Sequence, residues 1–471
     1  MAKGPGGIIS GGFDPLNAPD APTIDSVSAG LLTADVTFSA PSDTGAGTVD
    51  SYVITAKQSD GVGVSATASA AGTASLTLTA GGTTTFAAQA ISNAFGPGAF
   101  SGFGSSTSVL SGQELYSWGL DSNGQLGQNQ QVSLSSPVQI GSDTDWGSIG
   151  HDMQGAAYVT AIKTDGTLYS WGGNNANGEL GHNDVIAKSS PTQVGALTTW
   201  SDSSTGRKNL LLAKTDGTLW SIGDNLYGQL GINTGNTDDK SSPVQVGSDT
   251  NWSRVACGGE YFSIALTTTG ELYGFGYNIY GQLGDNTNVR RSSPVQVGAE
   301  SDWATMGTLQ YSCSAIKTDG TFWSWGYNNN GMIGDNTTIR RSSPVQVGAL
   351  TNWSKVSGSE EAWCAIKTDG TLWSCGRGSD GQLGTNSVVD RSSPVQIGSN
   401  TNWSKVSAGR THFVALTTTG EIYAWGNLDS GQGNNDLGGT VRRSSPVQIG
   451  ALTSWTDIEA SQFSVYGAIG V

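Results

Sequence analysis

Residues 402–426 read "NWSKVSAGRTHFVALTTTGEIYAWG". Apolar and polar residues alternate at period two within it, and the Thr-Thr-Gly stretch ending at Gly420 supplies the positive φ that a tight hairpin needs. The reading is three short strands, 402–410, 412–420 and 421–426, with "SSPVQIG" (444–450) as a fourth after a polar loop. The pattern returns along the chain. Its prolines stand at Pro137, Pro191, Pro243, Pro294, Pro344, Pro394 and Pro446, and seven tryptophans from Trp146 to Trp455 keep the same spacings, about 51 residues. Four antiparallel strands repeated seven times predict a β-propeller. The composition agrees: 471 residues with 69 glycines and 13% charged residues suit a loop-rich all-β chain.

The ends of the array complement each other. It opens with third and fourth strands only, "ELYSWG" from Glu114 and then "SSPVQIG", and it stops at "WTDIEASQFSVYGAIGV" (455–471), which supplies a first and a second. Residues 110–471 are therefore expected to form a seven-bladed propeller closed by N- and C-terminal strands, leaving no dangling sheet edge. Before it, residues 18–109 hold about seven short alternating strands, the pattern of a β-sandwich. Residues 1–17 form a Gly/Pro/Asn-rich arm whose Ile8, Ile9, Phe13 and Leu16 bury nothing alone, so the arm is read as an anchor on a partner.

Two stretches carry a family resemblance: "ALTTTGELYGFGYNIYGQLGDNTNVRRSSPVQVG" (265–298) and "AIKTDGTFWSWGYNNNGMIGDNTTIRRSSPVQVG" (315–348). They resemble the regulator of chromosome condensation repeat, with its alanine-leucine strand, aromatic-Trp-Gly strand, Gly-Gln-Leu-Gly and Pro-x-x-Val. The resemblance covers 112–471. Residues 18–109 resemble a fibronectin type III domain, through "APDAPTIDSVSA", Tyr52 in "SYVITA", Leu76, and Phe86 where that family often has tyrosine. That resemblance implies a spacer or interaction module.

Family members include a nucleotide exchange factor of a nuclear GTPase and a bacterial inhibitor of β-lactamases, which implies a propeller face offered to a protein. The exchange factor's wedge hairpin does not fit a repeat spacing that never exceeds 54. The plant ultraviolet receptor's repeated Gly-Trp-Arg-His-Thr signature is absent. The order arm, sandwich, propeller resembles modular virion proteins of tailed bacteriophages, marine ones especially. This implies a non-enzymatic virion structural or decoration protein of capsid, neck or tail, present in multiple copies. The arm is expected to bind other virion proteins and the propeller a host surface protein or glycan. The alternative is a bacterial cell-surface or secreted interaction scaffold.

The bulk charge narrows the partners. A net charge of −16 argues against nucleic acid and anionic membranes, and no apolar run reaches the roughly 18 residues of a membrane span. The opening "MAKGPGGIISGGF" is too interrupted for a secretion signal, so none is expected.

No cofactor, metal or catalytic set is expected. His151, His182 and His412 fall at unrelated points of different repeats, and the loops "DSNGQLG" (121–127), "DNTNVRR" (285–291) and "DNTTIRR" (335–341) carry one acid each, which suits turns rather than calcium. Glu360-Glu361 and Asp238-Asp239 read as solvated. Of 15 tryptophans, all but Trp363 recur periodically, as blade-packing residues do. Cys257, Cys313, Cys364 and Cys375 lack C-x-x-C spacing, and a two-residue turn at Asp369-Gly370 would set Cys364 opposite Cys375 as a free, buried pair.

One polar feature recurs in register: Lys188, Lys240, Arg290-Arg291, Arg340-Arg341, Arg391 and Arg442-Arg443, just before the Ser-Ser-Pro step. Two readings stay open. The arginines form a ligand ring, or they pair with aspartates such as Asp285, Asp335 and Asp390 and tie blades together.

Overall fold

The computed structural model describes residues 18–30, 33–57, 63–77, 82–92, 96–101, 105–109, 113–151, 157–173, 175–234, 238–259, 261–433 and 441–470. Ile8, Ile9, Phe13 and Leu16 lie outside these residues. The chain divides into two compact units between Gly112 and Gln113.

The first unit has a three-stranded sheet of Thr23–Gly30, Thr33–Ser39 and Gly72–Thr77. Its five-stranded sheet holds Gly63–Ala68, Ser51–Lys57, Gly82–Ser92, Gly96–Phe100 and Ser105–Val109. That is one strand more than the sequence predicts, because the edge of the second sheet is built in two pieces. Gly96–Phe100 pairs with one end of Gly82–Ser92 and Ser105–Val109 with the other. Alternation decides the core: Val36, Phe38 and Leu76 from one sheet meet Tyr52, Ile54 and Phe86 from the other, a β-sandwich. Each such buried side chain contributes roughly 1.5–3 kcal/mol.

In the second unit the described residues form five four-stranded antiparallel sheets, each a blade, and one eight-stranded sheet in which Trp146 pairs with Gln113, and no helix. One blade is Trp252–Cys257, Phe262–Thr267, Leu272–Gly276 and Arg291–Gln296; the next is Trp303–Thr308, Ser312–Lys317, Phe322–Gly326 and Arg341–Gln346. Another draws on both ends of the unit. Ser464–Gly470 pairs with Gln113–Gly119, from Ser464 opposite Gly119 to Gly470 opposite Gln113, with Trp455–Ala460 and Leu134–Gln139 on the flanks.

Every first strand bulges. The register slips between the periodic tryptophan and the residue two beyond it, as between Trp403 and Lys405 or Trp252 and Arg254. Strict alternation would send both residues to one face. The extra residue keeps the tryptophan in the core and turns its second neighbour out of it.

Neighbouring blades are joined through the Ser-Ser-Pro strand. Gly281, at φ +80°, packs so closely that a Cβ there would lie 2.5 Å from Cα of Ser342 in the next blade. Asn286, also left-handed at φ +59°, donates its backbone N–H to the Ser342 carbonyl at 2.8 Å. The Trp325 indole N–H reaches back to the Gln282 carbonyl at 2.9 Å. Gly-Gln-Leu-Gly, Trp-Gly and Ser-Ser-Pro thus recur together because each completes the others across a blade boundary. Equivalent bonds run from Asn129 to Ser189, Asn183 to Ser241, Asn233 to Ser292, Asn336 to Ser392 and Asn386 to Ser444.

The cysteines correct one expectation. All four are free and buried, but Cys364 does not face Cys375: Trp363 does, and Cys364 faces Ser374. The turn holds three residues, 368–370, closed by Lys367 N–H to the Thr371 carbonyl at 3.0 Å, with Gly370 left-handed at φ +76°. One added residue shifts the register, so the two thiols enter different core clusters.

Candidate functional site

The basic register divides by what each side chain touches. Arg291 donates Nε and Nη2 to Asp285 Oδ2 at 2.8 and 2.7 Å, and Arg341 does the same to Asp335 at 2.8 and 2.5 Å. Burial opposes ionisation of both carboxyls, but hydrogen bonds from Thr287 and Thr337 and from the two arginines outweigh it and hold them below the usual carboxylate range. Lys188 pairs with Asp184 at 2.9 Å, and Arg442 reaches Asp380 of the preceding blade at 2.7 Å. Asp390 instead accepts the Gly378 N–H. Among the described residues Arg391 and Arg443 make no ion pair.

Arg290 and Arg340 stack on tyrosines. The Arg290 guanidinium carbon lies 4.4 Å from the Tyr227 ring centre and 5.4 Å from that of Tyr277; Arg340 lies 4.6 Å from Tyr280 and 5.0 Å from Tyr327. The rings continue as an arc. Tyr227 meets Tyr261 at 4.8 Å and Tyr277 at 5.0 Å, and Tyr280 meets Tyr311 at 4.9 Å and Tyr327 at 5.1 Å. All six tyrosines are half-buried, and Leu226, Ile279, Val289 and Ile339 nearby in sequence are exposed. Tyr261 holds a left-handed φ of 55°, an unusual conformation for a bulky residue. Sequence reading missed this arc because periodicity drew attention to the tryptophans. The signal was available: Tyr227, Tyr277, Tyr280 and Tyr327 break the repeat, clustering in three consecutive units.

The bulged first strands line a second polar region, a cavity of about 560 Å³. His151 Nε2 lies 2.9 Å from Asp202 Oδ1, and Lys405 contacts Asp457 and Glu459, the latter at 2.7 Å. Burial penalises the Asp202 carboxylate, yet His151 and Arg254 lower its pKa below the ordinary value. The residues two beyond the tryptophans are Ser148, Asp202, Arg254, Thr305, Lys355, Lys405 and Asp457, all polar. That row was readable in advance, since an ordinary strand would have placed it in the core.

The other sequence candidates separate. His182 bonds Ser170 at 2.9 Å, while His412 is fully buried, which lowers its pKa to about 4. Glu360-Glu361 and Asp238-Asp239 are not merely solvated, a correction: Glu360 pairs with Arg410, Glu361 with Arg377 at 2.8 Å, Asp238 with Lys240, and Asp239 accepts the Asn225 N–H. The loop acids act on their own turns, as Asp121 does in accepting the Leu126 N–H at 2.9 Å. Among the described residues no group of three or more His, Cys, Asp or Glu is placed to hold a metal ion.

The pattern of the regulator of chromosome condensation (RCC1) repeat matches residues 113–149, 165–211, 216–266, 269–308, 319–366 and 369–416, more than half of the chain. The chain is 32% identical over 204 residues to the ultraviolet-B receptor UVR8 of Arabidopsis thaliana, covering 42% of this chain and 44% of that protein. Over 151 residues it is 34% identical to Protein RCC2 of Homo sapiens, covering 31% and 28%. The chain thus spans less than half the length of these relatives. Among solved structures, human WBSCR16 superposes with a TM-score of 0.67 at 20% identity, over 76% of this chain and 99% of that one. Prp20p of Saccharomyces cerevisiae, described for its binding to Gsp1p and histones, gives 0.67 at 16% identity over 77% and 92%. At such identities the likeness is one of fold.

Proposed function

Because the chain belongs to the regulator of chromosome condensation repeat family, we propose that it is a non-enzymatic scaffold that binds a partner protein through its tyrosine arc. The observation that carries this is the split between paired arginines: Arg291 and Arg341 are held by aspartates, whereas Arg290 and Arg340 are held by aromatic faces. Tyrosine and arginine are the residues that most often dominate protein interfaces, because each presents a large contact area with a polar end. Prp20p, with its named protein partners, offers a parallel within the same fold. The test is affinity capture followed by cross-linking, comparing wild type with Tyr280→Ala/Arg340→Ala. Loss of the partner in that variant, with retention in Arg391→Ala, is expected. Equal capture by both variants would overturn the assignment of the face.

The seven blades are read as one ring closed by pairing of Ser464–Gly470 with Gln113–Gly119. Support comes from the bonds on either side of the composite blade, Trp118 indole to the Gln432 carbonyl and Asn129 to Ser189. The first unit is read as fibronectin type III-like on its division into three- and five-stranded sheets.

At a finer level the scaffold is a virion structural or decoration protein, the reading supported by the order of arm, sandwich and propeller in the sequence. Mass spectrometry of purified phage particles tests it. Absence from the particle leaves the bacterial cell-surface or secreted scaffold, which protease shaving of intact cells would detect.

A further inference from the structure

The cavity between the bulged first strands is lined by three carboxylates and, besides His151, three cations, and these do not pair evenly. Its three carboxylates are all engaged: Asp202 with His151, and Asp457 and Glu459 with Lys405. Of the three cations Lys405 is paired and the other two are not. Arg254 donates Nη1 to Thr305 Oγ1 at 2.8 Å, and Lys355 donates Nζ to the Ser404 carbonyl. Among the described residues neither has a carboxylate within ion-pair distance. Both line the same cavity, on the blades either side of Thr305. Lys355 is pressed toward its neutral form by burial and by Lys405, with Asp457 opposing, as expected of a cation lacking a counter-ion. The sequence placed these residues deliberately out of the core, since only the bulge exposes them.

We propose that this cavity is a binding site for a small oxyanion, a phosphate or carboxylate group held between Arg254 and Lys355. The guanidinium offers paired donors and the ammonium a point charge, with the Thr305 hydroxyl between them as a further donor or acceptor. The volume of about 560 Å³ leaves room for a phosphorylated or carboxylated organic molecule, not only the bare ion.

The probes are inorganic phosphate and citrate, titrated into the full chain by calorimetry at constant ionic strength set with chloride. Saturable binding of one equivalent is expected, weakened by about tenfold or more in Arg254→Gln and in Lys355→Gln and largely restored in Lys355→Arg. Phosphate and citrate binding alike identifies a general oxyanion site; phosphate alone narrows the ligand to phosphoryl groups. Circular dichroism of each variant checks that the propeller is folded. A folded wild type with no saturable uptake of either probe overturns the proposal, and so does uptake unchanged in the folded Gln variants. Capture of the partner protein by the tyrosine arc is expected to be unaffected by either Gln variant, which separates the two sites.

Discussion

Two successive blades differ where their backbones agree. In the blade of Trp303–Thr308, Tyr327 N–H donates to the Tyr311 carbonyl at 3.0 Å; in the blade that starts at Trp353, Arg377 N–H donates to the Glu361 carbonyl at 2.9 Å. The side chains at these matched positions have opposite chemistry. Tyr311 and Tyr327 meet ring to ring at 6.2 Å, while Glu361 and Arg377 form an ion pair at 2.8 Å. The loop geometry is carried by main-chain bonds and glycines, so side chains above it are free to vary. Scaffold and presented surface are therefore separable, which is how one fold serves unrelated partners.

The strongest test of the separation strikes the scaffold. Gly281→Ala places a Cβ against the Ser342 backbone at a left-handed φ, and is expected to cost about 3 kcal/mol or more in thermal or denaturant unfolding. Gly348→Ala, at φ +66° with nothing within 4 Å, isolates the conformational part, about 1 kcal/mol. Equal losses would show that the contact with Ser342 is not what the glycine protects.

A buried acid gives the next effect. Glu179 stands where four other blades carry the glutamine of Gly-Gln-Leu-Gly, and burial raises its carboxyl to about 7. The folded chain then holds that proton more tightly than the unfolded chain, so stability falls as pH rises from about 4.5 to 7. Glu179→Gln is expected to remove this slope and to gain about 2 kcal/mol at pH 8, read from melts across that range. An unchanged slope would sink the assignment.

Within the arginine pair the prediction is asymmetric. Arg341→Ala leaves Asp335, whose side chain is 6% exposed, without its main partner and is expected to cost about 1–3 kcal/mol. Arg340→Ala removes contacts that, among the described residues, are with ring faces, and should cost under about 0.5 kcal/mol. Chemical denaturation of the two single variants decides it, and equal costs would put both arginines in the scaffold. Smallest of all, Tyr311→Glu/Tyr327→Arg copies the ion pair into the tyrosine blade. It should move stability by no more than about 1 kcal/mol while abolishing partner capture. A large loss of stability would mean that the arc holds the blades together.

The sequence by itself determined the all-β class, the repeat, the periodic tryptophans and the strands within each unit, because period two and fixed spacing are local properties of the chain. It also marked "RRSSPVQVG" as a recurring unit. Only the tertiary structure decided what that unit does. Ser342 accepts a bond from the preceding blade and Arg340 lies on rings from two blades, contacts between residues distant in sequence, while Arg341 grips an aspartate six residues back in its own loop. The cysteine register turned on a single turn residue, and the cavity on a bulge that reversed the direction of Arg254 and Lys355. A one-residue change in pairing is nearly invisible in a periodic pattern, yet it exchanges the buried and exposed faces of a strand.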